Sequence, residues 1–466
     1  MKILQLYNRR NRHGRIKDIL TTHGHKNTAW FFSTDLCFYT VKLTNIVIIS
    51  VLFFFLCSVT LVWGKTFRIA TYNVENLFDL VRNNTEYPEY CPYGGYGWNR
   101  HIANIKYRNI ARVIKDLGAD VVALQEVESK RALTVLRKHL IKIGVTYPWF
   151  AIASSKPTPV KCAVLSMFPI IKKEEIRVDD FAARNILEVT LDIEGHPLVL
   201  FVNHWKSKSG PESMRIVYAK ALRRAIHRLN RDSDFIVLGD FNSNYNEFKT
   251  FKYSRKLNDT HGITGINHIL GTIKGSKLVN ERVLIGQTAN RYMYNLWLEL
   301  SRPDRWSYLF FRHRETPDNI IVPRGLYDNR GISYVDNSFN KFQPRYLFRG
   351  KNIFRWQRAD RGTGRHLGKG YSDHLPIYAY FSTEPFRFRQ EKENRKDPGL
   401  LKCRYDINTA SREDLVSIDG IGTVLATRII DRRPYKTVDD LLRVKGIGPA
   451  TLKKIRPYIF VGSSCL

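Results

Sequence analysis

Residues 235–242 read FIVLGDFN. An apolar, β-prone run breaks off into Gly239, Asp240, Phe241 and Asn242, which is how a buried strand meets a turn. The acid at the break is carried to the rim of a sheet, where the backbone is still held but the side chain can reach a ligand. The same design recurs outward along the chain. FRIATYNV (67–74) carries Asn73, DVVALQEV (120–127) carries Glu126 and LVLFVNHW (198–205) carries His204. The last strand, HLPIYAYF (374–381), is entered through Asp373 and His374. Helical spacing over 104–117, closed by Gly118, and over 212–229 separates these strands. Many strands with a few covering helices predict a layered α/β or α+β sandwich.

The polar residues at these strand ends make a chemical set. They are Asn73, Glu126, His204, Asp240, Asn242, Asp318 in TPDNIIV, and the Asp373-His374 pair. A strand-end Asp-Phe-Asn alone is as often a turn signal, and a single His is more often structural than catalytic. Taken together, several acids converging with two histidines suit phosphoester hydrolysis, which needs a hard cation on phosphate oxygen, a base for water and stabilisation of the leaving oxygen. Oxygen ligands favour magnesium, manganese or calcium over zinc.

The ordered series YNVENLF, LQEV, NHWKS, GDFN and SDHLP, spread over about Phe67 to Phe381, closely resembles the endonuclease/exonuclease/phosphatase superfamily. That group of metal-dependent phosphoesterases includes deoxyribonuclease I, the abasic-site endonucleases and the neutral sphingomyelinases. The resemblance implies a four-layered α/β sandwich, two packed mixed sheets flanked by helices, with the site at one rim. It implies Glu126 as principal metal ligand, helped by Asn73 and Asp373. By the same resemblance His374 activates or orients water and is held by Asp318. Asp240 and Asn242 position the nucleophile and the scissile phosphate, and His204 is a proton donor or phosphate stabiliser. The identity of the general base stays open.

Further residues are candidates for gripping DNA. Lys206 follows His204 by two residues and on a strand would share its face; Arg184 stands at a strand entrance in AARNILEVTL. Either could equally be a surface ion pair. Between Lys341 and Lys369 nine Lys/Arg face one acid, Asp360, with Phe342, Tyr346, Phe348, Phe354 and Trp356 interleaved. Basic residues among aromatics suit phosphate contact and base stacking, with Arg355 and Arg358 as the contacts to test, although the aromatics could also be core.

The carboxy end is different. LVSIDGIGTVLATRII starts at Leu415 and LLRVKGIGPATLKKIR at Leu441, each an apolar-x-Gly-Ile-Gly turn before a helix, repeated at 26 residues from Gly420 to Gly446. Glycines allow close backbone approach to phosphate, and the free amides of a helix start favour an anion. The pair resembles the tandem helix-hairpin-helix modules of competence-type DNA receptors, which implies a small all-α domain whose Gly420, Gly422, Gly446 and Gly448 face phosphate. Lys445, Lys453 and Lys454 would add charge. Such binding reads backbone and not base sequence.

The 466 residues carry a net charge of +32, from 75 Lys/Arg against 43 Asp/Glu, and 43% of them are hydrophobic. That excludes a disordered basic tail and points to a polyanionic partner. Residues 65–383 hold 50 of the basic residues against 30 acids, so the excess lies on the larger domain. Residues 43–63, LTNIVIISVLFFFLCSVTLVW, are uncharged and long enough to span a bilayer, and also read as a secretory leader. The expected organisation is a leader at 1–64 (with a true start near 41 as one option), a catalytic domain at 65–383, a linker at 384–399 and the hairpin domain at 400–466. A cleaved leader implies a secreted or periplasmic protein; an uncleaved one implies a membrane anchor with the catalytic domain outside. Export leaves Cys91, Cys162, Cys403 and Cys465, whose pairing the sequence does not choose; a 403–465 clasp and a buried Cys162 thiol are both consistent with it.

The reading is an exported, metal-dependent nuclease acting on DNA, with RNA not excluded, using magnesium first and manganese or calcium as alternatives. No protein partner is implied. The competing readings are a phosphoesterase of lipid head groups or small phosphates and a non-catalytic DNA receptor.

Overall fold

The computed structural model describes residues 64–180, 183–230, 232–287, 291–310, 313–388, 405–418 and 420–462. The leader up to residue 63, residues 389–399 of the linker, and the start of the hairpin domain at 400–404 with Cys403 lie outside the described residues, as does Cys465. No helix among the described residues is long and apolar enough to cross a membrane.

Two β-α-β crossovers build the frame. β1 (Thr66–Leu77) passes through α1 (Arg100–Leu117) to the parallel β2 (Val121–Val127). Residues Lys130–Lys142 form α2, followed by β3 (Trp149–Ile152), β4 (Lys161–Ser166), β5 (Ile170–Ile176) and β6 (Ile186–Ile193). Then β7 (His196–His204) passes through α3 (Glu212–His227) to the parallel β8 (Phe235–Asp240). The short β9 (Tyr294–Asn295), β10 (Asp318–Val322), β11 (Ser333–Tyr334) and β12 (Ile377–Ser382) complete the sheets. The first sheet has seven strands, ordered β11-β12-β1-β2-β4-β3 with Asn340–Lys341 also on β12; the second has six, ordered β9-β10-β8-β7-β6-β5.

Alternation along each strand dictates the layers. Phe67 and Ile69 of β1 meet Leu198, Leu200 and Val202 of β7 and Ile236 and Leu238 of β8 in the core between the sheets. Ala70, Tyr72 and Val74 turn the other way, onto α1 and α2. Val199 and Phe201, with Phe235 and Val237, turn onto α3. Strands apolar on both faces need cover on both faces, which is why LVLFV and FIVL are nearly unbroken. The result is the four-layered sandwich, helices–sheet–sheet–helix. The first helix begins at Arg100, earlier than its apolar spacing suggests, because the Asn99 side chain caps it by accepting from the Ile102 amide at 3.1 Å; Gly118 closes it in the left-handed conformation.

The basic 341–369 stretch has little regular structure, with strands of two residues at Phe348–Arg349 and Asn352–Ile353. Its aromatics go mostly to the core: Trp356 is buried, its indole nitrogen donating to His366 Nδ1 at 2.9 Å, and Phe342, Tyr346 and Phe348 pack against the same cluster. Cys162 is a buried free thiol, pushed up to about 12 by burial.

In the tail, α4 (Arg412–Ser417) and α5 (Thr423–Asp431) form the first hairpin. A 3₁₀ turn (Val438–Arg443) and α6 (Pro449–Ile455) form the second. Both openings are capping boxes, Ser411 with Asp414 and Thr437 with Asp440, at the same 26-residue register. The hairpins pack reciprocally: Gly420 lies against Ile455 and Lys454, Gly446 against Leu425 and Arg428. Arg112 pairs with Asp414 at 3.4 Å, and Arg345 reaches the Val416 and Ile421 carbonyls at 3.4 Å, so the first hairpin meets the larger domain.

Candidate active site

The carboxy ends of the two parallel strand pairs meet at one rim. β1 and β2 deliver Asn73 and Glu126; β7 and β8 deliver His204 and Asp240, which are register partners. Asp318 opens β10 directly opposite Asp240. Close approach of β7 and β8 requires Gly239: its φ is +129° and a Cβ there would lie 2.1 Å from the Asn203 carbonyl oxygen. Glu75, Asn76, Glu126 and Asn242 all have left-handed backbone, with φ of 49°, 62°, 65° and 48°. Such conformations cost on the order of 1–3 kcal/mol each and persist where the surroundings enforce them, characteristically at functional sites.

Asn73 is the hinge of the site. Its amide nitrogen donates to Glu126 Oε1 and to Asp240 Oδ2, each at 3.0 Å, while its oxygen accepts from the Glu75 amide at 3.0 Å. It therefore holds two acids together, where the sequence suggests a direct metal ligand. The second Glu126 oxygen accepts from the Asn76 amide at 2.9 Å. Asn242 folds back, its amide nitrogen donating to the Trp205 carbonyl at 3.1 Å and its backbone amide to Asp240 Oδ1 at 2.8 Å.

Two sets of potential ligand atoms share Asp240. Glu126, His204 and Asp240 have donor atoms within 4.8 Å of one another, as do Asp240, Asp318 and His374. His204 Nε2 lies 3.6 Å from Glu126 Oε1 and 3.7 Å from Asp240 Oδ2, and its buried Nδ1 has no hydrogen-bond partner. Buried carboxylate oxygens with the His204 Nε2 held beside them fit a divalent cation. Asp373 stands apart from both sets: Arg355 grips it at 3.2 Å.

Opposed environments separate the two histidines. Burial, then Arg184 and His374, depress His204 well below its ordinary value of 6.5. Burial acts downward on His374 too, but Asp318, Asp373 and Asp240 outweigh it and raise the imidazole well above 6.5. Its Nδ1 lies 2.8 Å from Asp318 Oδ2, which also accepts from the Ser307 hydroxyl at 2.6 Å. Asp240 is pushed up by burial. The structure thus offers a cationic imidazole at His374 and a neutral one at His204.

The remaining candidates lie in different settings. Arg184 is close enough to depress His204, and its backbone amide donates to the Tyr218 hydroxyl at 3.1 Å. Lys206 lies in the turn beyond the end of β7, half-buried, so it does not continue the face of His204. Arg355 is half-exposed at the rim and bonds Glu75 Oε1 at 2.5 Å as well as Asp373. Arg358 is drawn inward: it donates to the Gly364 and Thr363 carbonyls, each at 3.0 Å, and to Glu89 at 3.3 Å. Both arginines line a cleft of about 470 Å³ beside Glu75. In the tail, Gly420, Gly422, Lys445, Gly446, Gly448 and Lys453 are all exposed, and Gly422 and Gly448 sit at the starts of α5 and α6.

Two residues that sequence reasoning passed over matter here. Glu75 is buried and raised by that burial and by Asp373, and it bridges Arg355 and the Trp356 amide. Its place two residues after Asn73 was a usable signal. Lys106 on α1 is fully buried and donates to the Tyr371 carbonyl at 2.7 Å, fixing the loop that carries Asp373 and His374. Burial pushes it down to about 8. Nothing in the helix pattern distinguished it from a solvated lysine.

Residues 68–273 match the Endonuclease/Exonuclease/phosphatase family and residues 403–460 match the helix-hairpin-helix motif. The rat endonuclease/exonuclease/phosphatase family domain-containing protein 1 is 38% identical over 68 residues, 14% of this chain and 12% of that protein. A deoxyribonuclease of Thioalkalivibrio is 31% identical over 96 residues, 20% of this chain and 25% of that protein. The chain thus spans a small fraction of the length of either relative. Among solved structures, a humanized D. rerio TDP2 with 14 mutations aligns over 68% of this chain and 98% of its own, at 14% identity and a TM-score of 0.42. On its motifs and these matched segments, residues 68–273 are similar to the Endonuclease/Exonuclease/phosphatase family and residues 403–460 to the helix-hairpin-helix motif.

Proposed function

We propose that this protein hydrolyses phosphodiester bonds of DNA with little sequence preference, in a magnesium-dependent reaction outside the cytoplasm. The observation that carries the reading is the pairing of one hydrolytic rim with two hairpins in the same chain, because nothing about a lipid head group or a small phosphate calls for the hairpins. A divalent cation held by the Glu126 and Asp240 carboxylates beside His204 would neutralise phosphate oxygen and make phosphorus a better electrophile. The chain's own residues supply the rest. His374, kept cationic by Asp318, donates a hydrogen bond to a non-bridging phosphate oxygen. Asp240, ionised near neutral pH, accepts the proton of the attacking water. Asn73 and Asn242 hold that carboxylate in place, and Arg184 and Arg355 add positive charge at the rim. The exposed hairpin starts, with Lys445 and Lys453, hold the duplex through its backbone. Export rests on the apolar 43–63 stretch.

Competition between substrates tests this. The full chain with magnesium is offered duplex DNA, sphingomyelin vesicles and bis(p-nitrophenyl) phosphate. The proposal predicts a kcat/KM for DNA at least about 100-fold above the others, from contacts worth about 2.7 kcal/mol. Preference for the lipid would reject it.

A further inference from the structure

The cleft of about 470 Å³ beside Glu75 holds none of the hydrolytic set, yet it lies against it. Glu75 and Asn76 line it, and the Asn76 amide donates to Glu126 Oε2 at 2.9 Å. Arg355 lines it too and reaches Asp373 at 3.2 Å. A ligand that fills the cleft therefore sits next to a phosphate held at the rim. The volume falls in the range of ordinary small-molecule sites, too large for a lone phosphate and sufficient for a nucleotide. Tyr90 and Trp356, both nearly buried, give it an apolar wall for a sugar or base.

The charges of the cleft do not balance. Five charged side chains line it: Glu75, Glu89, Arg355, Arg358 and Arg361. Glu75 holds Arg355, and Glu89 holds Arg358 at 3.3 Å. Arg361 is left over. It is exposed, and no hydrogen bond, ion pair or ring contact engages its side chain among the described residues. The turn that presents it is strained and braced. Asp360 and Arg361 are consecutive left-handed residues, with φ of 50° and 55°. Arg358 donates to the Thr363 and Gly364 carbonyls, each at 3.0 Å, and the Gly364 amide donates to the Ala359 carbonyl at 2.9 Å. Strained turns persist where their surroundings enforce them, and they gather at ligand clamps. Here the bracing fixes one unpaired guanidinium at the cleft.

We propose that this cleft binds the nucleotide next to the scissile phosphate, and that Arg361 grips that nucleotide's outer phosphate. The inference rests on the reading of the rim as a phosphodiesterase for DNA and adds a subsite to it. A guanidinium presents a planar fork of N–H donors that matches phosphate oxygens. The apolar wall takes sugar and base by contact, without hydrogen-bond readout of the base, which agrees with little sequence preference. Arg355 and Arg358, the arginines that the sequence singles out in this stretch, then serve as wall and brace, and the phosphate contact passes to Arg361.

Calorimetric titration of the full chain with thymidine 3′,5′-bisphosphate in chelator reads the cleft without any cleavage. Wild type is compared with Arg361→Gln and with Gln357→Trp, which narrows the cleft and leaves its charge alone. Wild type should bind. Arg361→Gln should bind at least about tenfold more weakly, through loss of one charge-assisted contact, and Gln357→Trp at least about fivefold more weakly. With magnesium and a short single-stranded oligonucleotide, Arg361→Gln should raise KM with kcat kept and reduce the slope of log K against log salt by about 0.7, as for one phosphate contact. The rise in KM should be several-fold larger for the oligonucleotide than for bis(p-nitrophenyl) phosphate, which has no nucleotide to fill the cleft. Failure of wild type to bind the bisphosphate would overturn the proposal. So would wild-type affinity in Gln357→Trp, which would make Arg361 a surface charge alone, or an equal loss on both substrates, which would make it a prop of the rim. Nucleotide binding that follows these expectations in a protein that cuts no DNA would reject the reading of the rim and leave the nucleotide site standing.

Discussion

Replacing Asp318 by Asn removes one charge and almost no volume from the most buried pair at the rim. Asp318 is 1% exposed and His374 is 8% exposed, with Oδ2 and Nδ1 at 2.8 Å. At an effective dielectric of about 20 that contact is worth on the order of 5 kcal/mol before desolvation, and removing one partner of such a pair costs about 3–5 kcal/mol. The carboxamide keeps an acceptor for the ring and for Ser307, so the lower figure, about 3 kcal/mol, is the better expectation. What changes is the balance at His374: burial, already acting downward, loses its strongest opponent and is opposed only by Asp373 and Asp240, so the imidazole gives up its proton at lower pH than in wild type. If a cationic His374 serves the phosphate, kcat near pH 7.5 falls by roughly 100-fold or more. The pH dependence is the sharper readout. Wild-type activity should hold until pH climbs through the raised His374 value; in the variant this alkaline limb moves toward acid, so the defect is smaller at about pH 6 than at about pH 8. Stability follows the same sign. A histidine raised in the folded state stabilises fully below its ordinary 6.5, and that contribution is lost as pH rises through the folded value. Wild-type Tm should therefore fall on the alkaline side and the Asp318→Asn variant should not. Steady-state cleavage of a fluorescent duplex across pH, with melting curves on the same samples, measures both. A defect equal at all pH values, or none, would refute the assignment of a charged His374.

Gly239→Ala should lower stability by about 3 kcal/mol or more, because its Cβ would strike the Asn203 carbonyl and its φ is +129°; chemical denaturation measures it, and a loss below about 1 kcal/mol would argue against the close strand approach. Lys445→Glu with Lys453→Glu, both exposed on the second hairpin, should raise KM on duplex DNA about tenfold with kcat kept, and lower the slope of log K against log salt by about 1.8. Cleavage of a small phosphodiester should be unaffected; if it falls in parallel, the hairpins do more than bind. Mass spectrometry of the protein recovered from its producing cell should find an amino terminus near Lys65, and a terminus at Met1 would remove the argument for a cleaved leader.

Much of the fold was written in strand endings. FIVLGDFN, LVLFVNHW and DVVALQEV each read as an apolar run stopped by a functional group, and each became a strand buried on both faces with that group at the rim. The contribution of long-range packing was not legible. Asn76 and Arg361 lie far apart in sequence with no shared motif, so only tertiary structure brings them to one cleft. Lys106 repeats at helical spacing like any solvated lysine, and its burial depends on the Tyr371 loop arriving from the far end of the domain. The aromatics of 341–369 fitted either core or base stacking, and packing decided in favour of core for Trp356. Arg358 was read as a free contact because sequence does not show that Glu89, Thr363 and Gly364 claim it.

The central claim is that the rim where β1, β2, β7 and β8 end is a metal-dependent phosphodiesterase centre for DNA. Incubation of supercoiled plasmid with the full chain, with magnesium or with chelator, beside Glu126→Gln and His374→Ala, tests it most directly. The account predicts cleavage with magnesium, none with chelator, and a loss of at least about 100-fold in either variant. Cleavage that survives chelation, or wild-type rates in both variants, would contradict it.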